Sequence, residues 1–296
     1  MLAWLFVAGG LLAQAQPTMT VQFAPAVNGV ALDQSPFDGL ADAIDQTQGM
    51  TVGLEEGVVE FRGIIEFDLS PLGSGDRIES AILEIIPLGS AIPAGLPSVP
   101  IHLSGFVGDG SLQTGDFQTG PLLATFEGLT TLAVPISLDV TSFVQRVSSL
   151  RFLGFNLKTT ANGAQVTFGS LAIGSAPRLT IKLKPVRIDI KPESAVNSLN
   201  PRSNGVISVA VLSIGTFDAQ TLDPSTIRFG STGVEAAPLR AKFEDVDGND
   251  RRDLLLHFRT NQTAFVCGSV NGSLSGFTYT RQPINGSDSI RIVGCK

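Results

Sequence analysis

The sequence predicts an all-β protein built as two tandem β-sandwich-like modules. Three observations carry that expectation. With 32 Gly and 17 Pro in 296 residues, turns are frequent and long stretches of helical period are scarce. Short segments alternate apolar and polar residues, the period-2 pattern of a half-buried strand. The charge balance changes near residue 185: residues 1–184 hold 8 basic and 16 acidic side chains, and residues 185–296 hold 12 and 11. Such a length is long for one domain and comfortable for two, and a hydrophobic fraction of 43% supplies material for two cores.

In chain order, the first segment is MLAWLFVAGGLLAQAQ. An apolar run from Leu2 to Ala13 leads into the small-x-small site Ala13-Gln14-Ala15. This predicts a secretory signal peptide over residues 1–15. The run is shorter than the ~20 apolar residues a membrane helix needs. No Lys or Arg precedes it, so the basic region is atypical or lies upstream.

The first module is expected over 17–184. Strand patterns fall at 58–70, 77–88, 99–107, 132–145, 151–159, 164–173 and 178–184. Within VEFRGIIEFD, Val59, Phe61, Gly63, Ile65 and Phe67 make an inward face, and Glu60, Arg62, Glu66 and Asp68 a polar one. A helix is expected at 38–46. There Asp38, Asp42 and Asp45 would share one face, which reads as solvated rather than as a cation site. A second short helix is expected at 139–147, with Thr141 capping its first turn.

The second module is expected over 186–296, after the hinge KLKP, with strands at 187–190, 205–214, 226–230, 238–246, 253–259, 263–269 and 288–293. Cys267 and Cys295 are the only cysteines. An even count in an exported chain reads as one disulfide. Closing that loop stabilises by roughly 3–4 kcal/mol if chain entropy dominates.

Two resemblances emerge from these blocks. RGIIEFDLSPLGSGDRIESAILEII, LDVTSFVQRV, FLGFNLKTT and APRLTIKLK resemble the DNRLRE-type β-sandwich modules, which include modules grouped with carbohydrate-binding families in secreted bacterial proteins. No sugar-binding residue of that family maps onto a position here. VRIDIKPES, NPRSNGVISVAVLS, DPSTIRFG, FEDVDGNDRRDLLLHF and GSDSIRIVGC resemble the IDIKP-type C-terminal module of exported bacterial proteins. The likeness covers 187–296 and implies a secreted, non-catalytic β-module.

The densest chemistry lies in FEDVDGNDRRDLLLHF. With Asp245 as position one, Asp247, Asn249, Arg251 and Asp253 fall at three, five, seven and nine. Calcium loops place oxygen ligands at these positions, with the seventh supplied by a backbone carbonyl. Two positions depart from the pattern. Asp250 replaces the usual sixth-position glycine, although Asp tolerates positive φ. Leu256 replaces the bidentate Glu at twelve. A calcium ion with a structural role and a solvated hairpin turn both remain open, and Arg251 and Arg252 are available to pair with the acids.

Other chemistry is sparse. Trp4 falls in the expected signal peptide and Tyr279 is the only Tyr, so a stacking platform for sugars is thin. The histidines, His102 and His257, sit in strand-like segments, and no nucleophile has an evident base. Asn261, Asn271 and Asn285 begin N-x-[ST] sequons. The acidic first module argues against nucleic acid and anionic membranes as partners. The sequence reads as a secreted or cell-surface protein without catalysis. It is expected to act as an extracellular accessory or surface-interaction module toward a polysaccharide or protein, with calcium as its cofactor. The alternative is a carbohydrate-binding protein, and a degenerate hydrolase ranks third.

Overall fold

The computed structural model describes residues 19–36, 38–70, 72, 78–96, 99–118, 120–128, 131–147 and 150–295. The expected signal peptide and Trp4 lie outside the described residues. The fold is all-β. Its first part runs β1 (Met19–Phe23), β2 (Val27–Gln34), β3 (Ala43–Asp45), β4 (Met50–Glu55), β5 (Val59–Asp68), β6 (Ile78–Ile85), β7 (Pro87–Ala91), β8 (Pro100–Val107), β9 (Leu122–Glu127) and β10 (Ile136–Asp139). The helix α1 (Thr141–Val147), β11 (Phe152–Thr159), β12 (Gln165–Phe168) and β13 (Arg178–Leu183) complete it.

One sheet has the order β1-β13-β6-β10, and the other runs β7-β12-β4-β5-β11-β8-β9. β2 pairs with β5 along its full length, and β3 pairs with β2. The two sheets share one core: Leu83, Ile85 and Ile181 from the first meet Ile65, Phe67 and Phe155 from the second. Phe155 sits edge-on to Phe67 at 6.1 Å and to Phe143 of α1 at 5.8 Å. Such offset ring contacts add to simple area burial.

The polar face expected on β5 is only partly solvated: Glu60, Arg62 and Asp68 are half-buried. Glu66 and Ile64 are both fully buried. Residues 108–118 cross this outer face, and their Phe117 packs with Ala31, Ala41 and Ile64 in a small second core. Alternation in sequence cannot register a distant loop that covers a strand's second face.

The helix expected at 38–46 is absent. Ala43–Asp45 is strand β3. Gly39 has φ +80°, and each aspartate takes a local partner instead of a helical one. Asp38 accepts from Leu40 N, Asp42 from Gln34 N, and Asp45 from Thr47 N. The Asx contacts of Asp38 and Asp45, and the cross-strand bond of Asp42 to β2, compete with helix in a segment too short to nucleate alone. The second expected helix is α1. Its Thr141 hydroxyl accepts the Ala81 N–H of β6 at 2.9 Å, so it ties the helix to the sheet rather than capping it.

The second part comprises β14 (Ile188–Ile190), β15 (Ser198–Leu199), β16 (Val206–Val211), β17 (Arg228–Gly230), β18 (Arg240–Glu244), β19 (Asp253–Arg259), β20 (Asn271–Phe277), β21 (Pro283–Ser289) and β22 (Arg291–Ile292). Its sheets are β14-β16-β19-β18, β17-β20-β21 and the parallel pair β15-β22. Val209, Leu254, Leu256 and Phe258 pack with Phe229 and Ile284 in a core separate from the first. The strand expected at 263–269 is a turn, because Ala264 and Gly268 adopt φ of +54° and +99°. The strand follows it, as β20. Cys267 and Cys295 are joined, with Cα atoms 5.9 Å apart. The bond ties this turn to the C-terminal end of the chain. Among the described residues, no helix is long and apolar enough to cross a membrane.

Candidate functional site: the acidic loop between β18 and β19

β18 and β19 pair through Glu244 and Asp253, so the eight residues between them form the hairpin loop. Asp245 organises it. One carboxylate oxygen accepts Gly248 N at 2.8 Å and Asn249 N at 3.1 Å, and the other accepts Asp250 N at 2.9 Å. Asp250 adopts φ +62°. The left-handed turn usually served by glycine is therefore made by an aspartate, a residue that pays less than most for it.

Asn249 accepts Arg251 N and donates to Asp247 at 3.1 Å and to the Ser213 carbonyl at 3.2 Å. Arg251 turns away from the acids. Its guanidinium donates to the Gly215 and Phe217 carbonyls at 2.9 and 2.7 Å, which pins the loop to the segment after β16. Asp253 is fully buried. Its two oxygens accept Ser213 N at 2.7 Å and Val246 N at 2.8 Å. The Ser213 hydroxyl completes the hub by donating to the Arg252 carbonyl and accepting from Ala219 N.

Of the five residues expected to form a cation site, Asp245, Asp247 and Asp253 converge, with one carboxylate oxygen from each within 4.8 Å of the others. Asn249 stands beside Asp247, and the Arg251 side chain is directed elsewhere. Leu256 is buried in the core. The donor set suits a hard, oxygen-seeking cation. Each carboxylate oxygen already bonded to one N–H keeps a further lone pair, and among the described ion pairs no Lys or Arg is joined to these three acids. Asp245 also lines an open groove with Lys191, Glu193, Ser208, Glu244 and His257.

The sequence did not single out three carboxyl environments. Glu235 accepts bonds from Ser231 Oγ, Thr232 N and Oγ1, Gly233 N and Val234 N. Burial opposes ionisation there, but these donors win and bring the carboxyl down to about 2. The run Ser-Thr-Gly before the acid was the available signal. Glu66 goes the other way, pushed up to about 7 by burial and by the charges of Asp116 and Asp109, against two N–H donors. Burial, reinforced by Asp109, also raises Asp116. His102 meets Thr125 Oγ1 at 3.0 Å on adjacent strands. The exposed aromatics among the described residues are Phe277 and Tyr279, which flank the buried Thr278. Among the described residues of 19–184 the exposed large apolar side chains are aliphatic.

No protein-family model matches the chain, and no curated protein matches it. Among solved structures, the N-terminal domain of the Streptococcus gordonii adhesin Sgo0707 aligns with 80% of this chain and 61% of its own, at 10% identity and a TM-score of 0.23. A score of that size does not establish a shared topology, and no property of the adhesin passes to this chain.

Proposed function

We propose that this chain is an exported, non-catalytic β-protein serving as an extracellular or cell-surface interaction module. In this reading its C-terminal part is braced by the disulfide and by one calcium ion. Asp245, Asp247 and Asp253 would hold the ion, with Asn249 and the backbone carbonyl of Arg251 completing the set. The observation that carries the reading is the Cys267–Cys295 bond. Disulfides persist in oxidising compartments and are rare where thiols are kept reduced. The likeness of 187–296 to the IDIKP-type exported module, and of the first part to DNRLRE-type sandwiches, supports the same address. The convergence of three carboxylates supports the ion.

The test is to express the full chain in a bacterial host and fractionate the cells. The oxidised protein is expected outside the cytoplasm with about one calcium per chain by metal analysis. Retention in the cytoplasm with two free thiols would defeat the export reading, and a metal-free protein would defeat the ion.

A second reading, glycan binding, is favoured by Phe277 and Tyr279, which are 42% and 63% exposed. Flat, half-polar rings are the surfaces sugars stack on. Retardation on polysaccharide affinity gels that is lost in Tyr279→Ala would support it. Uniform migration across all gels would remove it.

A further inference from the structure

Residues 108–118 form a strap over the outer face of the second sheet, and two buried side chains clamp its ends. Glu66 Oε2 accepts Asp109 N at 3.1 Å and Gly110 N at 2.7 Å. Asn156 Nδ2 donates to the Asp116 carbonyl at 2.9 Å and more weakly to that of Phe117. The strap lies so close that a Cβ on Gly108 would sit 2.5 Å from Glu66 Oε2. Both clamps are 0% exposed, and each leaves one oxygen, Glu66 Oε1 and Asn156 Oδ1, buried without a partner. Glu66 pairs across the ladder with Gly154, so Asn156 is its diagonal neighbour on the same face. Diagonal neighbours lie about 7–8 Å apart at Cα, within reach of a glutamate.

Two buried acceptors on one face have no donor between them. A proton on Glu66 turns Oε1 into that donor. We propose that the strap 108–118 is a proton-held latch: neutral Glu66 keeps it closed, with its Phe117 seated against Ile64, and ionisation of Glu66 loosens it.

The charged surroundings agree. From the strap, Asp109 and Asp116 face Glu66, and both are acidic. From β2, Val27 lies opposite Glu66 and Asp33 lies farther along, opposite Glu60. On β5, Arg62 is held by Glu60 at 2.7 Å and donates to the Phe117 carbonyl, and Asp68 pairs with Arg151. On β11 and β8, Lys158 and His102 pair with each other, away from Gly154 and its partner Phe106. The charges that act on Glu66 are those of Asp116 and Asp109, so an ionised carboxylate there meets two like charges. Arg62 and the Asn156 amide both point at the Phe117 carbonyl, which disfavours a metal ion at that end.

The test is amide hydrogen exchange of the full chain at pH 5.5 and 8.5, corrected for intrinsic exchange rates. With Glu66 at about 7 when closed and the usual 4.5 when open, linkage predicts about 30-fold weaker protection of the Asp109 and Gly110 amides at the higher pH. Peptides from β6, β13 and β19 are expected to keep theirs. Glu66→Gln is expected to abolish the pH-dependent loss. Equal protection at both pH values, or a loss that persists in Glu66→Gln, would overturn the latch. If that variant does not fold, the carboxyl ¹³C titration of Glu66 in the unmodified chain decides: a midpoint near 7 supports the latch and one near 4.5 overturns it. Restoration of protection at pH 8.5 by added calcium would also overturn it, in favour of a cation site.

Discussion

Replacing Asp253 by Ala separates a hydrogen-bonding hub from a metal ligand. The side chain is fully buried, and its oxygens take the Ser213 and Val246 N–H groups. Removing it leaves two backbone donors without a partner. Each such donor costs about 1–3 kcal/mol. Part of that is returned, because a buried carboxylate no longer has to be desolvated. The net loss is expected to be about 2–4 kcal/mol even with calcium chelated, or roughly 8–25 °C in melting temperature for a unit of this size. Asp247 is the control. It is exposed and accepts one bond, from Asn249, so Asp247→Ala is expected to cost less than about 0.5 kcal/mol in chelator. Calcium changes the comparison. An ion present at 100 times its dissociation constant stabilises the folded chain by about 2.7 kcal/mol, and Asp247→Ala should forfeit most of that gain. The assay is thermal and denaturant unfolding of the unmodified chain and both variants, with 1 mM calcium and with chelator. Unchanged stability of Asp253→Ala in chelator would refute the hub. An unmodified chain indifferent to calcium would refute the ion while leaving the hub intact.

Two further substitutions test the frame around these sites. Cys295→Ser, or reduction of the unmodified chain, is expected to cost roughly 3–4 kcal/mol in denaturant unfolding of the C-terminal part, with the first core unaffected. Phe155→Ala removes a fully buried ring that touches both Phe67 and Phe143. It should destabilise the first part by about 3–5 kcal/mol, read as a lower denaturant midpoint at unchanged slope.

Local features were legible in the sequence. The acidic loop is a contiguous run, so the spacing of Asp245, Asp247 and Asp253 was sufficient to bring them together, and Asp250 was recognisable as a residue that tolerates the left-handed turn. Strands such as β5, β8, β11, β13, β16 and β19 showed through their alternation. What failed was non-local. Ser213 completes the Asp253 hub from 40 residues away, and no local pattern marks it. Glu66 read as a solvent-facing strand residue and Asn156 drew no notice, because the strap that buries both is a separate segment. The aspartates at 38, 42 and 45 matched a helical face by spacing, yet Asp38 and Asp45 took the N–H two residues on and Asp42 took one from β2. Position 263–269 had strand-like composition, but the turn that delivers Cys267 to Cys295 required positive φ at Ala264 and Gly268.

Glu66 and Glu235 carry the same side chain and are driven in opposite directions, so they should give the two parts of the chain opposite pH slopes. Burial costs both carboxylates. Glu235 meets that cost with donors from Ser231, Thr232, Gly233 and Val234, whereas Glu66 has two N–H donors, an unpartnered oxygen and two acidic neighbours. The raised group of Glu66 contributes stability that is complete below pH 4.5 and is lost as pH rises through about 7. At 1.36 kcal/mol per tenfold that amounts to about 3 kcal/mol for a fully buried carboxyl. The depressed group of Glu235 contributes stability that is present above 4.5 and is lost as pH falls toward about 2. Because Glu235 is partly exposed, solvent screening reduces its contribution to about 1–2 kcal/mol. Denaturant unfolding from pH 2.5 to 8.5 should therefore show Glu66→Gln gaining on the unmodified chain as pH rises from 4.5 to 8. Glu235→Gln should fall behind at neutral pH and draw level near the acid end. If both substitutions shift stability with the same sign across that range, hydrogen-bond supply is not what separates the two carboxyls, and the latch at Glu66 loses its physical basis.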